Sequence, residues 1–158
     1  MTRRCSVWRR PASSAEMQAP PDRPRPAITD LTRPFWDAAR EGRLVIQRCA
    51  ACRYYNHPPR RECDKCLSTD LAFEPVSGLG RVYSFTVMHQ KNVQGFENSL
   101  PYLTALIELD EQPMLLLVTN LPGAEPSDDL MDARVRVEFQ QIDDEVTLPQ
   151  FVVVGGTK

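Results

Sequence analysis

The chain has 158 residues, 42% of them apolar and 25% charged, with a formal net charge of −2. That size suits one ordinary domain, or a small domain beside a metal-stapled module. The near-neutral total excludes bulk charge as a basis for recruitment to nucleic acid or an anionic membrane. The charge is unevenly placed, however. Residues 1–30 carry six arginines (Arg3, Arg4, Arg9, Arg10, Arg23, Arg25) against Glu16, Asp22 and Asp30, which is near +3 against −5 for the remainder. No apolar run reaches the length of a signal peptide or a membrane span, so a cytoplasmic protein is expected. Pro11 to Pro26, with PPDRPRP at its centre, reads as a linker or disordered tail over residues 1–29, because repeated prolines fix φ and remove donors. Cys5 falls there, away from the other cysteines, and reads as a spectator thiol.

Order is expected from TDLTRPFWDAAREGRL onward. Thr32 can cap a helix, Pro34 is tolerated in its first turn, and Gly42 stands where it should stop. Phe35 and Trp36 together are more aromatic surface than a short lone helix should expose, so they pack on the chain's own core or on a partner. Leu44-Val45-Ile46 then delivers the chain to Cys49. Helix and cysteine segment form one predicted unit, residues 30–75, and residues 76–158 form a second that reads as all-β. Its strands are expected at GRVYSFTVMH, with Tyr83, Phe85 and Val87 on one face, then at YLTALIEL, MLLLVT, RVRVEFQ and LPQFVVV. Five strands without a crossover helix suggest a small antiparallel barrel, a five-stranded Greek key of the OB type; a partly open sandwich fits the same pattern.

Residues 49–66 read CAACRYYNHPPRRECDKC, two Cys-x-x-Cys pairs separated by ten residues. Cys-x-x-Cys is a short spacing at which one turn aims two sulfurs the same way, and two such turns complete a tetrahedron of thiolates. Cys49, Cys52, Cys63 and Cys66 are therefore the expected ligands of a structural Zn2+; a redox pair or a disulfide is the competing reading. Four protein sulfurs leave no open position, so such a site would stabilise a fold without activating water. His57 reads as a loop residue. Arg53 and Leu67 occupy the positions after each pair where a positive φ usually calls for glycine, at a cost of about 1–2 kcal/mol.

FWDAAREGRL, Q-x-C-x-x-C, PPR-x-x-C-x-x-C, the SGLGRVYSFT stretch (Ser77 to Thr86) and Pro101-Tyr102 together resemble a family of bacterial and archaeal proteins over residues 31–154. In that family a rubredoxin-like zinc ribbon precedes an OB-fold, and members were long known only as a domain of unknown function linked to acyl-CoA metabolism. The resemblance implies a non-catalytic accessory subunit of a thiolase-like acyl-CoA enzyme, in a hetero-oligomer built on a partner dimer. It is similar to the accessory subunit of actinobacterial steroid side-chain retro-aldolases, with a hotdog-type hydratase as a further neighbour. A CoA thioester would then be a ligand of the complex, whose acyl-CoA channel this subunit helps to shape. Two departures stand out: glycine is missing after Cys52, and LMDARV (130–135) lacks the glycine usual before the fourth strand.

Phe35, Trp36 and Phe96 are the interface candidates, since exposed aromatics mark such surfaces. Arg40, Arg43, Arg48, Arg60 and Arg61 are candidates for meeting CoA phosphates. The alternative function, a single-stranded nucleic-acid-binding module, needs a basic groove with stacking aromatics, whereas residues 108–132 are acidic. A self-sufficient enzyme would have to draw on His89, Glu97, Glu108 and Asp110, but no motif gives them a task. No catalytic residue is expected in this chain.

Overall fold

The computed structural model describes residues 24–91, 93–96, 99–126 and 129–155. The expectations for Cys5, for most of the tail and for Glu97 lie outside the described residues. The protein is mainly β, with one short helix, a cysteine ribbon and a five-stranded, nearly closed barrel. Among the described residues no helix is long and apolar enough to cross a membrane.

Helix α1 spans Arg33–Arg40. Thr32 stands at its N-cap position but makes no side-chain capping bond. Its hydroxyl instead accepts the backbone N–H of Thr29, 2.9 Å away, which corrects the capping role expected of it. The other end behaves as the sequence suggests. Gly42 adopts φ +72°, its N–H reaches the carbonyl of Ala39, and the N–H of Arg43 reaches that of Ala38. This paired closure satisfies two orphan carbonyls, and only glycine enters its left-handed step without strain.

Strands β1 (Val45–Cys49), β2 (Tyr55–Asn56) and β3 (Leu71–Pro75) form a small antiparallel sheet in the order β2-β1-β3. The second sheet holds β4 (Leu79–Met88), β5 (Tyr102–Leu109), β6 (Leu116–Asn120), β7 (Arg134–Gln141) and β8 (Thr147–Val153), ordered β6-β5-β4-β7-β8. All its pairings are antiparallel. The edge strands β6 and β8 curl toward each other, and the Gln150 side chain spans part of the gap, accepting the N–H of Asn120 at 3.2 Å and the Thr119 hydroxyl at 3.3 Å.

One face assignment changes. The register of β4 against β5 slips between Val82 and Ser84. This bulge inverts the alternation, so Val82 is fully buried, Tyr83 is 40% exposed, and Phe85 and Val87 still pack on the core. Simple period-two counting had placed Tyr83 with Phe85.

A single apolar core joins the two sheets. Phe35 of α1, Leu44 and Ile46 of the ribbon pack with Val82, Ile107, Leu117 and Phe151 of the barrel. Polar contacts reinforce the junction. The Gln112 side chain, in the β5–β6 turn, accepts the N–H of Tyr55 at 2.8 Å and donates to its carbonyl at 3.2 Å, imitating one more strand residue beside β2. Glu108 is buried but committed: it accepts the N–H of Met114 at 2.8 Å and the Arg81 guanidinium at 2.7 Å. These donors hold its carboxyl below the usual carboxylate range. Arg81 also reaches Asp132, which turns the chain into β7 at φ +61° and so supplies the bend expected of a glycine.

The SGLG segment has a steric reason. Gly78 sits at φ +70° against Val137, and a Cβ on Gly80 would fall 2.4 Å from the carbonyl oxygen of Glu108. No side-chain rotation relieves a clash with backbone. Gly80→Ala should therefore force β4 away from β5 and destabilise the fold by about 1–3 kcal/mol, read as a lower urea midpoint. An unchanged midpoint would mean that the strands do not approach this closely.

Candidate metal centre and the groove beside it

The two cysteine turns are near copies of each other. The N–H of Cys49 donates to Tyr54 and that of Cys63 to Ser68; Arg53 closes back on the carbonyl of Cys49 and Leu67 on that of Cys63, each at 2.9 Å. The residues that close the turns, Arg53 and Leu67, take φ +64° and +61°. Both turns therefore adopt the left-handed geometry normally given to glycine, without a glycine. Gln47, on β1, clamps the excursion between them: its amide accepts the N–H of Arg60 at 2.8 Å and donates to its carbonyl at 2.9 Å. Asn56 is buried and receives the N–H of Asp64 at 2.9 Å, fixing the approach to the second pair.

This scaffold gathers the sulfurs of Cys49, Cys52, Cys63 and Cys66 within 4.8 Å of one another. The Cys49–Cys66 and Cys52–Cys63 sulfurs are 3.6 Å apart. A regular tetrahedron with metal–sulfur bonds of about 2.3 Å has edges of about 3.8 Å, so the cluster has the dimensions that Zn2+ requires. Disulfide bonding is a different geometry, with sulfurs about 2.0 Å apart. The protonation pattern also calls for a cation. The N–H of Cys52 lowers the Cys49 thiol. At Cys63 burial opposes ionisation, but the N–H groups of Lys65 and Cys66 bring the thiol down to about 6. Cys66 receives the N–H of Ser68, yet the neighbouring sulfurs and burial push it up to about 12. Four sulfurs this close cannot all ionise unless a positive ion sits between them.

The remaining candidates are dispersed. Arg48 lies 2.9 Å from Glu74, Arg40 3.6 Å from Asp37 and Arg60 3.7 Å from Asp64, while Arg43 pairs with Glu41. Arg61 is exposed. These four pairings compete with any phosphate, so the arginines do not make a preformed anion site. Asp110 is held by the Arg134 guanidinium at 2.6 and 2.8 Å and Glu108 by Arg81, each with its carboxyl below the usual range. His89 is an exposed residue just beyond β4. None of these is joined to another as an acid–base pair.

All three aromatic candidates line one groove. Phe35 is buried, its ring meeting Trp36 edge-on at 4.9 Å and His57 at 5.7 Å. Burial holds His57 neutral, lowering its pKa to about 4. Trp36, His57 and Phe96 then line a cavity of about 440 Å³ lying between α1, the ribbon and the β6–β8 seam. No Lys, Arg, Asp or Glu lines it among the described residues. It offers aromatic faces but lacks the basic lining that single-stranded nucleic acid also requires. Sequence reading missed both this groove and the glutamines that shape its surroundings, because a glutamine in a turn or edge strand carries no local signal.

Family models match in two adjacent stretches: the ChsH2 rubredoxin-like zinc ribbon domain over residues 36–72 and the ChsH2 C-terminal OB-fold domain over residues 73–140. A solved chain described as an Ltp2-ChsH2(DUF35) aldolase superposes with a TM-score of 0.74 at 41% identity, covering 82% of this chain and 98% of that one. A probable enoyl-CoA hydratase alpha subunit of Thermomonospora curvata is 40% identical over 150 residues, covering 91% of this chain and 46% of the relative. A 3-oxo-4,17-pregnadiene-20-carboxyl-CoA hydratase alpha subunit of Mycobacterium tuberculosis is 33% identical over 115 residues, covering 73% and 35%. The chain thus spans less than half the length of these two relatives.

Leu67 offers a clean test of the turn geometry. Its side chain is 72% exposed, so Leu67→Gly removes little buried surface. Relief of about 1–2 kcal/mol of left-handed strain exceeds the added freedom of glycine in the unfolded chain, about 0.5–1 kcal/mol. The metal-loaded variant should show a higher urea midpoint; a lower one would mean that Leu67 packs on something its exposure does not reveal.

Proposed function

The chain belongs to the family that joins a ChsH2-type rubredoxin-like zinc ribbon to a C-terminal OB-fold, and on that premise we propose that it is a non-catalytic accessory subunit of a thiolase-like acyl-CoA lyase. The reaction assigned to the complex is retro-aldol cleavage of a steroid or related side-chain acyl-CoA. The observation that carries this reading is the match, over nearly the whole of the solved chain, to a component of an Ltp2-ChsH2(DUF35) aldolase. Its chemistry agrees with the site. Cys49, Cys52, Cys63 and Cys66 hold a structural Zn2+ with no ligand position left for water, and the carboxylates Glu108 and Asp110 are tied to arginines.

On this reading the chain divides into a tail to residue 29, a helix-and-ribbon unit to residue 75 and a barrel beyond it. The ribbon unit stiffens a partner-facing surface, and Trp36 and Phe96, at the rim of the groove, are its apolar contacts. Phe35, buried in the core, serves by fixing Trp36. The CoA thioester belongs to the complex, whose acyl-CoA channel this subunit helps to shape, and the catalytic groups belong to the partner. The relatives' names speak of a hydratase, and on this reading the further neighbour is one of the hotdog type.

Co-expression with a thiolase-like candidate partner is the test. The two should co-elute as a hetero-oligomer, and lyase activity should be lost when this chain is omitted. Separate elution, with activity indifferent to this chain, would refute the accessory role.

A further inference from the structure

The groove beside the β6–β8 seam presents the side-chain amide of Gln150. Gln150 is only 5% exposed. Its Oε1 is used twice, by the N–H of Asn120 and the hydroxyl of Thr119, and these two donors fix the amide's orientation. Its Nε2 therefore presents N–H donors, and it has no hydrogen-bond partner among the described residues. Gln150 lines the cavity. The Nε2 is not among the fully buried unpaired atoms, so it opens onto the groove, where a ligand oxygen would take the place of water.

The surroundings specify what the donor would meet. The cavity's volume, about 440 Å³, lies in the range of pockets that enclose small organic ligands. Its walls are Trp36 and Tyr102, with Phe96 stacked on Tyr102 at 4.6 Å, and Val118, 72% exposed, stands at the mouth. His57 is neutral there, and no charged side chain lines the groove among the described residues. Charged moieties such as a phosphate or carboxylate would find no counter-ion, whereas a rigid apolar body would find aromatic faces, the Gln150 amide and the neutral imidazole of His57.

We propose that this groove binds the uncharged ring portion of a steroid-type ligand and that Gln150 Nε2–H donates to a ketone or hydroxyl oxygen on it. The choice of ligand rests on the acyl-CoA reading above; the groove and its donor do not. On this account the subunit contributes a specificity contact distant from the thioester, which the partner would handle.

The test uses the full zinc-loaded chain carrying Trp8→Phe, so that Trp36 is its one remaining tryptophan, titrated with androst-4-ene-3,17-dione. Emission from Trp36 should change saturably. Val118→Lys, a substitution at an exposed position, should weaken binding at least about tenfold by placing a charge at the mouth. Gln150→Leu should weaken it about tenfold through loss of one hydrogen bond. Circular dichroism checks that Gln150→Leu remains folded, and Val118→Lys stands as evidence if it does not. No emission change, or a Kd unmoved by Val118→Lys, overturns the proposal. If the diketone does not bind while Val118→Lys abolishes capture of the thiolase-like partner, the groove docks protein and the ligand assignment is wrong. Partner capture is scored separately. Diketone binding without capture keeps the groove and discards the accessory role; capture without diketone binding does the reverse.

Discussion

Four sulfurs drawn within 4.8 Å of one another are the constraint on which the rest of this structure depends. Bare, they repel as thiolates and cannot all ionise; around a zinc ion they close two turns that the local sequence does not favour. Arg53 and Leu67 are held in left-handed conformations that each cost about 1–2 kcal/mol. Structural Zn2+ binding in zinc-finger peptides supplies about 10–16 kcal/mol, enough to hold both turns and still order the strands they anchor. A ribbon sheet with a two-residue β2 has little other means of standing alone.

The order created at the cluster passes into the barrel through contacts that are few and specific. Phe35, Leu44 and Ile46 extend the barrel's core into the ribbon. Gln112 binds both backbone groups of Tyr55, so the β5–β6 turn is fastened to β2 by side chain where no further strand exists. Gln47 does the same for Arg60 within the ribbon. The amide pairs matter because each satisfies a donor and an acceptor at once, which an ion pair at the surface would not do. Together they bring α1, the ribbon and the β6–β8 seam around one uncharged groove.

The outline of this arrangement was legible in the sequence where the chemistry is local. Cys-x-x-Cys spacing announces the cluster, Gly42 announces the end of α1, and alternation announces β7, where Val135 is fully buried and Arg134 and Arg136 face out. What escaped depends on contacts distant in the chain. The bulge after Val82 is set by pairing with β5, so period-two counting puts Tyr83 on the wrong face. Thr32 turns back to Thr29 because the segment before α1 offers it a donor. Asp132 replaces a glycine at the bend into β7, where its own carboxylate reaches Arg81. Gln150 has no motif at all, and its position becomes meaningful only when β6 and β8 approach each other.

A cluster that staples the fold does no chemistry itself, and a cluster that does not would return the four cysteines to redox work. Metal analysis of the purified chain, followed by chelation while near-ultraviolet circular dichroism is recorded, separates the two most directly. The account predicts about one zinc per chain, as four ligands around one ion require, with the aromatic signal collapsing as the metal is withdrawn. A metal-free chain that keeps the full native signal would contradict it.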